Sequence, residues 1–131
     1  MSVWPQWMLV SSDVERSSAF YTEVVGLESR HGGREYDQLF AGDELVMQLH
    51  DDDVEDHHGA LLDHDAPRGN GILIWFEVAD FDGAVERVRA SGTNVVRDLH
   101  VNPNAKQHEI WFKDPDGYLV VLAGPSDYRP R

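Results

Sequence analysis

Residues 4–26 read WPQWMLVSSDVERSSAFYTEVVG, and residues 71–92 read GILIWFEVADFDGAVERVRASG. Each stretch is an apolar run, then an Asp, then an amphipathic segment that stops at glycine. In the first, Trp4–Ser11 predicts a strand and Asp13–Val25 a helix, with Val14, Ser17, Tyr21, Val24 and Val25 recurring at near-helical spacing. Ser12 followed by Glu15 has the capping-box pattern, and Gly26 ends the helix. In the second, Gly71–Val78 predicts a strand and Asp80–Ser91 a helix capped by Asp80, with Phe81, Val85 and Val88 as its apolar stripe and Gly92 as its stop. An offset of 67 residues superposes Asp13 on Asp80, so the chain carries an internal repeat.

Three shorter strands are expected after each helix: about Glu28–Gly32, Tyr36–Ala41 and Glu44–His50, then about Asn94–His100, His108–Lys113 and Tyr118–Ala123. Turn chemistry separates them at Gly32-Gly33, Gly42-Asp43, Asn102-Pro103-Asn104 and Asp114-Pro115-Asp116-Gly117. Each half thus reads β-α-β-β-β, and the fold class is α+β. The expected organisation is a single domain over 1–131, its modules at about 1–50 and 71–124. The acidic, His-rich segment 51–70 between them has no periodicity, and is either a linker, a lid or partly disordered.

The bulk composition excludes several classes. The 131 residues carry a net charge of −13, which repels rather than attracts phosphate, so nucleic acid is not an expected partner. There are no cysteines, hence no disulfide scaffold, thiolate metal site or cysteine nucleophile. No apolar run approaches membrane-spanning length, and no basic segment leads into an N-terminal apolar stretch. The expectation is a soluble, cytoplasmic protein with no membrane contact.

The order Val10-Ser11-Ser12-Asp13-Val14-Glu15-Arg16-Ser17-Ser18-Ala19-Phe20-Tyr21 with Val25-Gly26-Leu27, then Phe76-Glu77-Val78-Ala79-Asp80, then Phe112-Lys113-Asp114-Pro115-Asp116-Gly117-Tyr118-Leu119, resembles the vicinal oxygen chelate superfamily of glyoxalases, bleomycin-resistance proteins and extradiol dioxygenases. The resemblance covers nearly the whole chain apart from the central acidic loop and the tail after Gly124. It implies tandem βαβββ modules forming a cupped, partly open eight-stranded sheet, and a homodimer. It also implies four metal-ligand positions, one on the first and one on the last strand of each module. Carried over residue by residue these are Gln6, Gln48, Leu73 and Val121, where metal-binding members show His, Gln or Glu. Two amides and two aliphatic side chains supply neither the donors nor the charge that a divalent ion needs. The expectation is therefore no metal and no cofactor.

Strand alternation sorts the remaining candidates. Gln6, Met8 and Val10 share one face, as do Val46, Gln48 and His50. Leu73, Trp75 and Glu77 oppose Ile74, Phe76 and Val78, while Glu109 and Trp111 join Leu119, Val121 and Ala123. The expected ligand-binding set is Gln6, Met8, Gln48, His50, Leu73, Trp75, Glu109, Trp111 and Val121. Apolar walls with a few polar points describe a small-molecule site, and two tryptophans suit a flat aromatic or amphipathic ligand. The alternative is a lyase, isomerase or dioxygenase-like enzyme. It would use Glu109 or His50 for proton transfer, with desolvation raising the Glu109 pKa, or a metal at a non-standard site. Against those roles, Glu109 reads better as a surface or interface carboxylate, and His50 better as a solvent-exposed residue than as a catalytic base. Trp75 and Trp111 read also as packing or interface residues. His57, His58 and His64 lie among Asp51, Asp52, Asp53, Glu55, Asp56, Asp63 and Asp65 at no closed-site spacing, and read as a solvated loop. His100 has no evident partner.

Overall fold

The computed structural model describes residues 2–52 and 61–127. The chain divides into two compact units, Met1–Pro67 and Arg68–Arg131, each with one four-stranded mixed sheet. Asp53, Glu55, Asp56, His57 and His58 of the acidic segment lie outside the described residues. Among the described residues no helix is long and apolar enough to cross a membrane.

The first unit runs β1 (Trp7–Ser11), α1 (Val14–Phe20), β2 (Glu28–Ser29), β3 (Tyr36–Ala41) and β4 (Glu44–Asp51), in sheet order β1-β4-β3-β2. β1 is parallel to β4, with Met8 beside Gln48 and Val10 beside His50, and β3 is antiparallel to β4. The expected strand at Trp4 starts later, at Trp7, where pairing with Met47 begins. Just before it stands Pro5, which has no N–H to give a ladder. Asp13, not Ser12, caps the helix: its carboxylate accepts the Arg16 amide at 3.0 Å, while Ser11 Oγ accepts the Asp13 amide at 3.1 Å. α1 continues into a π-helical turn over Tyr21–Val25, which periodicity did not anticipate. The amides of Gly26 and Leu27 both reach the Tyr21 carbonyl at 3.1 Å, and Gly26 takes a φ of +99°. Val14, Ser17, Tyr21, Val24 and Val25 are all buried, as are Leu9, Leu39, Met47 and Leu49. That is the core of the unit.

The strand expected over Glu28–Gly32 stops at Ser29, because Asp37 draws the following loop inward. Its carboxylate accepts from Ser18 Oγ (2.6 Å), Ser29 Oγ (2.7 Å), the Gly32 amide (2.6 Å) and its neighbour Gln38 (2.8 Å). Burial of Asp37 works against ionisation, but the bonds from Ser18, Gly32, Ser29 and Gln38 together outweigh it. They hold the carboxyl below the ordinary aspartate value.

The second unit runs β5 (Ile74–Glu77), α2 (Phe81–Ala90), β6 (Val95–Asn102), β7 (Gln107–Lys113) and β8 (Leu119–Ala123), in order β5-β8-β7-β6. β5 begins three residues later than expected, after a turn in which Gly69 and Gly71 both have positive φ. β6 runs on to Asn102, with irregular pairing between Val95 and His100. Asp80 caps α2 by accepting the Gly83 amide at 3.1 Å. The Asp114–Gly117 segment turns as its composition predicts: Asp114 Oδ1 accepts the amides of Asp116 and Tyr118, and Gly117 takes a φ of +92°. Ile74, Ala84, Val85, Val88, Ile110, Phe112, Val120 and Leu122 are buried and form this core.

Candidate functional site

In the second unit three parallel or antiparallel neighbours build one row. Trp75 on β5 pairs with Val121 on β8, and Val121 pairs with Trp111 on β7. Directly paired residues point to the same face of a sheet, so two indoles flank an aliphatic floor. Their backbones stand two strand spacings apart, roughly 10 Å. A planar ring needs about 7 Å between its two walls at van der Waals contact. Trp75 is 38% exposed and Trp111 partly so, whereas Val121 is fully buried. Leu73, just before β5, is 39% exposed and extends the apolar surface.

The next row joins Glu77, Ala123, Glu109 and His100. Glu109 is 0% exposed, which corrects the reading of a surface carboxylate. Its Oε1 accepts from the Trp111 indole N–H at 2.9 Å and faces His100 Nε2 at 3.2 Å, and its Oε2 accepts from Asn102 Nδ2 at 2.9 Å. His100 thus has the partner that sequence did not reveal. Its Nδ1 faces the Asp98 carbonyl at 2.8 Å, so both ring nitrogens are engaged within the protein and neither is open to a substrate. The cluster fixes Trp111, whose indole leans along β7 toward Glu109.

In the first unit the polar points form a chain. Gln38 Nε2 donates to Tyr36 Oη at 3.1 Å, Tyr36 Oη donates to Gln48 Oε1 at 2.6 Å, and Gln48 Nε2 donates to the Gln6 carbonyl at 3.1 Å. Tyr36 and Gln38 were missed by sequence reasoning. Their shared face was legible from alternation, but their placement opposite His50 and Gln48 depends on register. Gln6 itself is exposed and precedes β1. Met8, beside Gln48, is half-buried. His50 is 4% exposed, not solvent-exposed as expected, because strand pairing places it between Val10 and Tyr36. Its Nδ1 meets the Asp51 carbonyl at 2.9 Å, and its ring lies edge-on to Tyr36 with centroids 6.4 Å apart.

The four positions at which the resemblance implies a metal do not fit a divalent ion. Leu73 and Val121 bear only hydrocarbon, and the Gln48 amide is engaged at both its oxygen and its nitrogen. Among the described residues no group of three or more His, Cys, Asp or Glu side chains is arranged to hold a metal elsewhere. His64 is exposed on a segment where Asp63 accepts the Asp65 amide at 2.9 Å.

The family profile of the Glyoxalase/Bleomycin resistance protein/Dioxygenase superfamily matches residues 5–122. The chain belongs to this superfamily. Similar curated members include the lactoylglutathione lyase of Salmonella typhimurium, 28% identical over 92% of this chain and 90% of that protein. The probable lactoylglutathione lyase of Vibrio parahaemolyticus is also 28% identical, over 88% of this chain and 85% of that protein. Among solved structures, TioX from Micromonospora sp. ML1 superposes with a TM-score of 0.73 at 16% identity, covering 94% of this chain and 98% of that one. A superfamily protein from Nocardioides superposes at 0.72 and 21%, covering 95% and 83%. The superfamily fold, two βαβββ modules of α+β class, is therefore established for this chain.

Proposed function

We propose that this superfamily member is a metal-independent binder of a small aromatic or amphipathic molecule. The observation that supports this is the Trp75–Val121–Trp111 row, an apolar floor between two indoles, one of them held by a buried carboxylate. The Leu73 and Val121 side chains support it from the other direction, since they replace donors with hydrocarbon. In this reading Glu109 is the acceptor that positions Trp111, Leu73, Trp75 and Trp111 contact the ligand, and the buried Val121 supports the two indoles from within the sheet. Gln6, Met8 and Gln48 form the polar and apolar surface of the first module, with His50 buried on the same strand as Gln48. The test is tryptophan fluorescence titrated with planar aromatic compounds, repeated on Trp75→Ala and Trp111→Ala. A saturable response that both substitutions abolish is expected. A response unchanged in both variants refutes the assignment of this row.

A second reading, an S-lactoylglutathione lyase, is favoured by the names of the two curated relatives. Formation or consumption of S-lactoylglutathione by the purified chain, with Ni or Zn added, separates the two. Turnover that saturates with metal defeats the metal-independent reading.

The proposal includes a soluble, cytoplasmic homodimer. Support for self-association comes from β6, an eight-residue strand at the edge of its sheet. It leaves Val96, Leu99 and Val101 about half exposed, and such an apolar edge invites pairing.

A further inference from the structure

The first module has a cleft at the end of its sheet where β3 turns into β4. Its volume is 580 Å³, inside the range of roughly 300–1,000 Å³ that small-molecule sites occupy. Trp4, Trp7 and Phe40 line it with Pro5 and Val46, and Asp43 and Glu44 stand among the lining residues. It shares only Gln6 with the residues proposed above as the ligand-binding set.

Two features of this lining need a physical account. Trp4 is 70% exposed, a large apolar side chain left in water beside a cleft rather than packed into the core. The other is that the surroundings already hold a positive charge. The Arg30 guanidinium lies 4.6 Å from the Phe40 ring centroid, donates to the Gly42 carbonyl at 2.6 Å, and reaches Glu28 at 3.4 Å and Asp43 at 4.0 Å. Aromatic face and carboxylate together stabilise a cation here. Arg30 takes the Phe40 face, and Trp4 and Trp7 remain among the residues that line the cleft. Glu28 and the fully exposed Asp43 share that one guanidinium, and Glu44 adds a further carboxylate to the lining, on a chain whose net charge is −13. An anion is repelled from such a cleft, and a neutral ring leaves its excess negative charge unanswered. A compact organic cation uses both, with its charge over indole, the best of the aromatic partners.

We propose that this cleft binds a small organic cation of the quaternary-ammonium type, held between the Trp4 and Trp7 indoles and the Asp43 and Glu44 carboxylates. The probe pair is choline and its uncharged isostere 3,3-dimethylbutan-1-ol, which share shape and differ in charge. Binding is read from the indole N–H resonances of the full chain, assigned with single Trp→Phe variants. Choline is expected to shift the Trp4 and Trp7 signals saturably, and the isostere to bind about tenfold more weakly, as loss of the cation–indole attraction implies. Trp4→Ala, and separately Asp43→Asn with Glu44→Gln, are expected to weaken choline by at least several-fold. The paired Trp75→Ala and Trp111→Ala changes leave it intact, so this site and the second-module row succeed or fail independently. Four results overturn the proposal: no saturable shift, equal binding of the isostere, choline affinity indifferent to the carboxylate variant, or choline affinity indifferent to Trp4→Ala. Equal isostere binding would identify the cleft as merely apolar.

Discussion

Truncating Glu109 to alanine removes the acceptor for three side-chain donors at once: Trp111 Nε1, His100 Nε2 and Asn102 Nδ2. A buried donor left without its acceptor costs roughly 1–3 kcal/mol. His100, Asn102 and Trp111 each keep some exposure, so water recovers part of that loss. The sum then falls at about 3–5 kcal/mol, a large share of the 5–15 kcal/mol typical of a whole domain. Glu109→Gln keeps the volume and one acceptor oxygen but turns an amide N–H₂ toward groups that also donate, for about 2 kcal/mol. Glu109→Leu keeps volume with no acceptor and is expected to lie close to alanine. Urea unfolding followed by circular dichroism measures all three. With a slope of about 2 kcal/mol per molar, alanine lowers the midpoint by roughly 2 M at unchanged slope. The leucine variant carries the decisive result. Buried charges are often replaceable by hydrophobic residues at no loss. If Glu109→Leu is as stable as the parent, the carboxylate is not the hub of its row and its role in holding Trp111 falls.

Asp37 supplies a pH dependence. Its folded carboxyl lies below its unfolded value, so its contribution is complete above about pH 4 and is lost as pH falls through the depressed folded value. Acid unfolding monitored by tryptophan fluorescence should show a shallower slope in that window for Asp37→Asn, and an unchanged slope refutes the assignment. Gly117→Ala has open space for its methyl group but a φ of +92°, and a loss of roughly 1–2 kcal/mol is expected from backbone strain alone, read as a lowered thermal midpoint. Val96→Lys with Val101→Lys should leave the circular dichroism spectrum intact and shift sedimentation toward monomer. A dimer that survives both changes places its interface elsewhere.

The fold was legible because its evidence is local. Asp80 as a cap, Gly26 and Gly117 at positive φ, and the buried series Val14, Ser17, Tyr21, Val24 and Val25 all follow from short-range rules. The loss of donors at Leu73 and Val121 is likewise a property of residue type, which no packing alters. What the sequence left open were partners across strands. Glu109 and His100 are nine positions apart on β7 and β6, and His50 meets Tyr36 through register, so burial reversed the surface readings of Glu109 and His50. Ser12 lost the cap to Asp13, and the strand expected to reach Gly32 gave way to a loop drawn in by a buried aspartate. Periodicity states which face a side chain takes; only the tertiary structure decides what stands opposite it, because hydrogen bonds and desolvation depend on distance in space and not along the chain.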